Sequence, residues 1–283
     1  MLRIALPNKG ALADDALALV REAGYTVRRG DKELFARDPR HEIEFLFLRP
    51  RDIAVYVGSG VLGLGITGRD LVAESGARLA ELLPLGFGHA AFRYAVPAEQ
   101  DLEPDDFGGL RVATSYPSLV AADLARRGVE AEVVPLDGAV EIAVRLGVAD
   151  AVADVVQTGG TLVRAGLKTV GAPILDSEAV LVARDASAPD ADAGVRRFLE
   201  RVRGIVVARA YAMIEYDVPE EALEQACAVT PGIEAPTISP LSRAGWVAVK
   251  AMARRAEVND LIDALTPLGA RGIIVTDIRT CRI

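Results

Sequence analysis

Apolar residues along this chain fall into two alternating rhythms. Short apolar runs, "LRIALP", "EIEFLFL", "LGLGITG", "LRVATSY", "VEAEVVPL" and "ADAVADVV", have the length and continuity of strands buried on both faces. Between them lie segments with apolar positions three and four apart. "GALADDALALVREAG", stopped by Gly24, "RDIAVYVGSG", "LVAESG", "PSLVAADLARRG" with Pro117 in its first turn, and "GAVEIAVRLG" predict helices. Such alternation predicts a parallel or mixed sheet covered on both faces, and it begins anew after "FRYAVPAE", so two such units are expected.

"KTVGAPILDSEAVLVAR" reads as strands returning from the second unit to the first. "SAPDADAG" has the small, acidic composition of a linker, and "VRRFLERVRGIVVARAYA" that follows predicts a long amphipathic helix. The rhythm then changes. "YAMIEYDV", "PEEALEQACAVT", "PTISPL", "WVAVKAMA", "EVNDLIDALTPLG" and "ARGIIVTDI" spell β-α-β-β-α-β, the ferredoxin-like order. The expected fold is therefore α/β. Residues 1–91 with 180–210 form one lobe, residues 92–179 a second, and residues 211–283 a small α+β domain.

Composition narrows the function. Of 283 residues, 51% are hydrophobic and 25% charged, the balance of a folded protein. No apolar run approaches the ~20 residues that span a bilayer, and "MLRIALPNKG" enters a strand without a signal-peptide core, so a cytoplasmic protein is expected. Cys227 and Cys281, far apart, predict no disulfide framework. With only His41 and His89, neither a zinc site nor a His-based triad has its parts, so an expected metal is a hard cation such as magnesium arriving with a phosphate. A net charge of −8 with no basic tract argues against nucleic acid. Any polyphosphate ligand must then meet cations concentrated locally.

The strand ends offer them. "DVVQTGGTL", Asp154 to Leu162, closes a buried strand on an acid and continues through Gln157, Thr158, Gly159, Gly160 and Thr161 into a helix start. Free N–H groups, glycines and hydroxyls there suit a phosphate, though a tight turn with threonine as N-cap fits the loop equally. Asp154 at the end of an apolar run, with Glu141 upstream, can accept hydrogen bonds from a ribose diol; alone, Glu141 is better read as a surface acid on a helix. Lys9 and Gly10 in "LPNKGAL", Arg49 and Arg51 in "FLRPRD", and Gly68, Arg69 and Asp70 in "GITGRD" all sit at strand ends, and Tyr116 in "ATSYPS" can stack on a base. Lys9, Arg49, Arg51 and Arg69 would together make a basic cleft in an acidic protein.

These segments carry a family resemblance. "RIALPNKGAL", "FLRPRDIAVYVGSGVLGLGITGRDL", "RVATSYP" and "DGAVEIAVRLGVADAVADVVQTGGTL" closely resemble the ATP phosphoribosyltransferases, and "YDVP", "TPGIEAPTISPL" and "GARGIIVTDIRTCRI" resemble the extra C-terminal domain of their long form. The resemblance implies a catalytic part of the type II periplasmic-binding-protein kind with a ferredoxin-like regulatory domain. It implies transfer of the 5-phosphoribosyl group of phosphoribosyl pyrophosphate to N1 of the adenine of ATP, with magnesium, as the first step of histidine biosynthesis. By the same resemblance Asp154, Val155, Val156, Gln157, Thr158, Gly159, Gly160, Thr161 and Leu162 bind phosphoribosyl pyrophosphate, with Glu141, Asp154, Lys9 and Arg49 as catalytic residues. Lys9, Gly10, Arg49, Arg51, Gly68, Arg69, Asp70 and Tyr116 would line the ATP and pyrophosphate part. Asp217, Ile233, Thr237 and Gly272 would bind histidine as feedback inhibitor, in a homo-oligomer that is dimeric or hexameric. The rivals are a two-lobed cytoplasmic sensor without catalysis, a non-catalytic chain that only regulates another, and a phosphoribosyltransferase for another base.

Overall fold

The computed structural model describes residues 1–28 and 33–282. The chain forms two compact units, Met1–Arg21 with Tyr25–Leu199, and Glu22–Gly24 with Glu200–Ile283.

The first unit begins β1 (Leu2–Pro7), α1 (Ala13–Glu22), β2 (Phe35–Asp38), β3 (Ile43–Leu48), α2 (Pro50–Gly58), β4 (Leu64–Gly68), α3 (Arg69–Ser75) and β5 (Ala80–Pro84). It continues β6 (Ala90–Pro97), β7 (Arg111–Thr114), α4 (Pro117–Arg127), β8 (Glu132–Pro135), β9 (Ala151–Val156), α5 (Gly160–Arg164), β10 (Leu167–Ser177) and β11 (Ala179–Ala183). Two sheets result, ordered β2-β3-β1-β4-β11-β5 and β10-β6-β9-β7-β8. Each belongs to one lobe. β1, β3 and β4 run parallel, as do β7, β8 and β9, which brings their carboxyl ends to one edge of each sheet. The continuous apolar runs are buried as expected: Ile4, Ala5 and Leu6 of β1 and Ala151, Val152 and Ala153 of β9 are at most 1% exposed.

The chain passes between the sheets twice, between β5 and β6 and between β10 and β11. The returning strands read from "KTVGAPILDSEAVLVAR" are β10 and β11. Three strands carried no signal of their own. β2 and β5 are the edges of the first sheet, with half or more of their residues outside its core, and β6 lies inside the second.

"GAVEIAVRLG" does not form the expected helix. It makes one 3-10 turn, Val140–Ile142, followed by successive tight turns. Gly138 at φ +149° and Ala139 at φ +50° leave the helical region on entry, and Gly147 at φ +69° ends the segment, so no second turn propagates. The linker-like "SAPDADAG" also folds in part, as the short helix α6 (Ala188–Ala191). Asp192 then accepts from the N–H of Gly194 at 2.6 Å and opens α7 (Ala193–Ala210).

The second unit continues β12 (Tyr211–Pro219), α8 (Leu223–Val229), β13 (Thr237–Pro240), β14 (Trp246–Arg254), α9 (Val258–Leu265) and β15 (Arg271–Asp277). Its sheet runs β13-β14-β12-β15 with every pair antiparallel, the ferredoxin-like arrangement. Period-two alternation sends Ala212, Ile214, Tyr216 and Val218 into a core with Val249, Ala226 and Leu265, and leaves Glu215 and Asp217 on the other face. The fold is α/β, two sheet-and-helix lobes followed by a ferredoxin-like domain. Among the described residues no helix is long and apolar enough to cross a membrane.

Candidate active site

A cavity of about 310 Å³ opens at the carboxyl end of β9, lined by Glu141, Asp154, Val155, Val156, Gln157, Thr158, Gly159, Thr161 and Leu162. The residue types explain how it forms. Gly159 takes φ +73°, a left-handed value that lets the chain turn into α5, and Leu162 is 7% exposed beneath the loop. Leu162 and Val140 belong to one apolar cluster, which holds the adjacent Glu141 beside the loop. Asp154 is half-buried where β9 ends, one oxygen accepting its neighbour Val155 N–H at 2.8 Å. Burial pushes its carboxyl above the usual carboxylate range, and nearby Glu141 and Asp70 push the same way against Val155 N–H and Arg51. An acid held this way favours partners that donate hydrogen bonds or carry positive charge.

A second cavity of about 180 Å³ adjoins the first through their common wall, Val155 and Gln157. Both lobes build it: Lys9, Gly10, Leu12, Gly68 and Asp70 from one, Tyr116 and Ser177 from the other, among its lining. Asp70 is 7% exposed, and both its oxygens are held. Ser177 Oγ donates to Oδ1 at 2.7 Å and Tyr116 Oη to Oδ2 at 2.7 Å, while Asp70 N–H donates back to Ser177 Oγ at 3.1 Å. Burial and the Asp70 charge push the Tyr116 phenol far up, so it stays a donor. Two glycines make room. A Cβ on Gly68 would lie 2.3 Å from Asp70 Oδ1, and one on Gly88, at φ +68°, 2.3 Å from Leu12 Cδ2.

The expected basic cleft is present only in part. Lys9 lines the second cavity, and Arg49 precedes its Pro50 at the start of α2; both are exposed, with no ion pair among the described residues. Arg51 lies over the Tyr116 ring at 4.7 Å and donates to Ser115 O at 2.6 Å, tying one lobe to the other. Tyr116, expected to stack on a base, lines the second cavity and is packed against Phe92 at 5.0 Å and under this guanidinium. Arg69 departs from expectation altogether. Its guanidinium binds Glu81 at 2.7 and 2.9 Å and Glu178 at 3.3 Å and lines neither cavity, so its charge is already spent within the protein.

Sequence reasoning passed over Ser177 and Glu178. Their one signal was a polar pair inside the returning apolar strands of "ILDSEAVLVA".

In the second unit Asp217 and Gly272 meet, a Cβ on Gly272 lying 3.9 Å from Asp217 Oδ2. Thr237 stands on β13 opposite Lys250. Ile233 is apart from these. It lines a cavity of about 330 Å³ with Tyr211, Thr230, Met252 and Arg254, and none of the other three reaches it.

Comparison with known proteins agrees from end to end. The family model described as ATP phosphoribosyltransferase matches residues 49–204, and the one described as HisG, C-terminal domain, residues 208–280. An ATP phosphoribosyltransferase of Salinibacter ruber is 60% identical over 284 residues, covering 100% of each chain. That of Mycobacterium tuberculosis is 51% identical over 283 residues, again covering 100% of each. Among solved structures, the ATP phosphoribosyl transferase (HisG:HisZ) complex from Thermotoga maritima aligns with a TM-score of 0.65, covering 73% of this chain and 99% of that one. At 24% identity this last is a likeness of fold.

Proposed function

The chain belongs to the ATP phosphoribosyltransferase family, and on that premise we propose how its two cavities divide the substrates. The reaction joins C1 of phosphoribosyl pyrophosphate to N1 of the adenine of ATP and releases pyrophosphate, the first step of histidine biosynthesis. The observation that carries the division is the pairing of two acids with a Gly/Thr loop in one cavity that opens into a second.

Phosphoribosyl pyrophosphate takes the first cavity. Its 5-phosphate meets the N–H groups and hydroxyls of Thr158, Gly159, Gly160 and Thr161, and Glu141 and Asp154 accept from the ribose hydroxyls. ATP takes the second, with Gly10, Gly68, Asp70 and Tyr116 in its walls. Lys9 and Arg49, exposed and unpaired among the described residues, meet the phosphates; Arg51 is within electrostatic reach of Asp154 and serves the same end. N1 of adenine is a weak nucleophile, so the ribose carbon gains positive charge before the new bond is complete. Glu141 and Asp154 favour that charge, and the cations favour the departing pyrophosphate. Positioning does the rest, and no side chain forms a covalent intermediate.

Magnesium fits this site as a companion of the phosphates. No three acids, histidines or cysteines among the described residues are placed to hold a metal ion together, so substrate oxygens supply most ligands, and Glu141 and Asp154 are the carboxylates this chain offers beside them. When bound it neutralises charge on the pyrophosphate.

Functionally, residues 1–91 with 180–210 and residues 92–179 act as catalytic lobes, and residues 211–283 as a regulatory domain for histidine. The nearness of Asp217 and Gly272 supports the last, with Thr237 and Ile233 as further contacts in an assembled dimer or hexamer. The cytoplasm is the compartment this reading assigns.

The test is pyrophosphate release from ATP, phosphoribosyl pyrophosphate and magnesium, with and without histidine. Release suppressed by histidine supports both parts. Release untouched by it removes the regulatory assignment, and no release overturns the whole.

A further inference from the structure

Neither Glu178 nor Arg69 lines either cavity. The two meet where the chain crosses between the sheets. Residues 85–89 make one crossing and Glu178 the other, and backbone bonds lace them together: Leu85 N–H to Ala179 O at 2.9 Å and Ala179 N–H to Phe87 O at 2.9 Å. Glu178 adds a side-chain tie, one oxygen accepting Gly86 N–H at 3.0 Å.

The start of α3 is clamped to this knot by both members of the Arg69–Asp70 dipeptide. Arg69 N–H donates to Glu178 O at 3.0 Å, and its guanidinium reaches Glu178 at 3.3 Å, Asp176 O at 3.3 Å and, bidentately, Glu81. Asp70 exchanges two bonds with Ser177. At the far end of α3, Glu74 accepts Leu119 N–H at 2.9 Å and Ser118 N–H at 3.3 Å, at the start of α4 in the other lobe. α3 is thus a strut from the crossings to the second lobe. The partners' side chains are only partly exposed: 28% for Arg69 and 17% for Glu178.

We propose that the Arg69–Glu178 pair is a positioning device for the reaction, setting the angle between the lobes and so the geometry of the second cavity but not of the first. The asymmetry comes from construction. Every residue lining the first cavity lies between 141 and 162, inside one lobe, whereas the second is assembled from both. Loosening the crossings leaves the first cavity whole and separates the walls of the second. The inference rests on the assignment of phosphoribosyl pyrophosphate to the first cavity and ATP to the second.

Glu178→Gln tests it, since the amide oxygen still accepts Gly86 N–H while the charge is removed. Arg69→Gln tests the other side, and Arg69→Lys restores charge without the fork. Kd for phosphoribosyl pyrophosphate is measured by calorimetry, and KM for ATP and kcat by pyrophosphate release. The expected result is a split: Kd for phosphoribosyl pyrophosphate within about twofold of wild type, KM for ATP raised about tenfold, kcat lowered, and Arg69→Lys in between. A merely structural role would move both substrates together. Equal weakening of both substrates, or no change in either, overturns the proposal. Wild-type protein that fails to bind phosphoribosyl pyrophosphate overturns the cavity assignment and this proposal with it, whereas a normal wild type with no split in the variants overturns the hinge role alone.

Discussion

Gly68→Ala isolates what Asp70 contributes. Gly68 has an ordinary backbone, φ −77° and ψ 143°, so the added methyl brings no conformational strain. It brings a collision, because the new Cβ would stand 2.3 Å from Asp70 Oδ1, about an ångström inside contact distance. That oxygen is held by Ser177 at 2.7 Å, and its sister by Tyr116 at 2.7 Å. The carboxylate can relieve the clash only by swinging away from Ser177, which forfeits one hydrogen bond to a charged acceptor and disturbs a second. One such bond contributes about 1.5–3 kcal/mol, so a loss of about 2 kcal/mol is expected. In thermal unfolding of the first unit that is about 4–8 °C, and affinity at the second cavity, whose wall Asp70 forms, falls by at most roughly thirtyfold. Calorimetric titration with ATP and a thermal melt read the two effects, and ribose 5-phosphate, which fills only the first cavity within one lobe, serves as internal control. A Gly68→Ala variant that melts normally and keeps wild-type affinity for ATP would refute the reasoning, since the collision would then have been absorbed without moving Asp70.

Three further outcomes follow from the site. Asp154→Asn should lose most pyrophosphate release yet melt no lower than wild type. A buried acid whose carboxyl is pushed up binds its proton more tightly when folded, so its charge opposes folding at neutral pH and the amide removes that cost; unchanged turnover would sink the assignment. For the same reason the acid limb of kcat/KM for phosphoribosyl pyrophosphate should fall above the usual carboxylate range, because protonation removes an acceptor and its charge; a limb at the value of a free carboxylate would contradict it. Asp217→Ala should weaken histidine inhibition more than catalysis, measured as inhibition curves beside uninhibited rates, and parallel losses would argue against a separate regulatory site.

Much of the fold was legible because its strands are buried on both faces. β1, β3, β4 and β9 show as continuous apolar runs for that reason, and the β-α-β-β-α-β order of the last domain shows in the alternation along β12 and β14. β2 and β5 were illegible because they are edges, recruited by the strand beside them and not by apolar pattern of their own. The stretch 138–148 misled in the opposite sense. Its apolar spacing suits a helix, but the backbone leaves the helical region at Gly138 and Ala139, which packing and not periodicity decides.

The family, the two-lobe plan and the residue types at the strand ends could be read from the chain without its fold, because these are local: an apolar run, a glycine after an acid, a motif of fixed spacing. Which charges stay free for a ligand depends instead on how the chain is folded. Lys9 and Arg69 look alike in sequence, each a cation at a strand end. Lys9 stays exposed in a cavity wall, while Arg69 is taken up by Glu81 and Glu178, 12 and 109 residues away. A cation finds its partner through space, at separations no local pattern encodes. The division of the site into a cradle within one lobe and a chamber between two was settled in the same way.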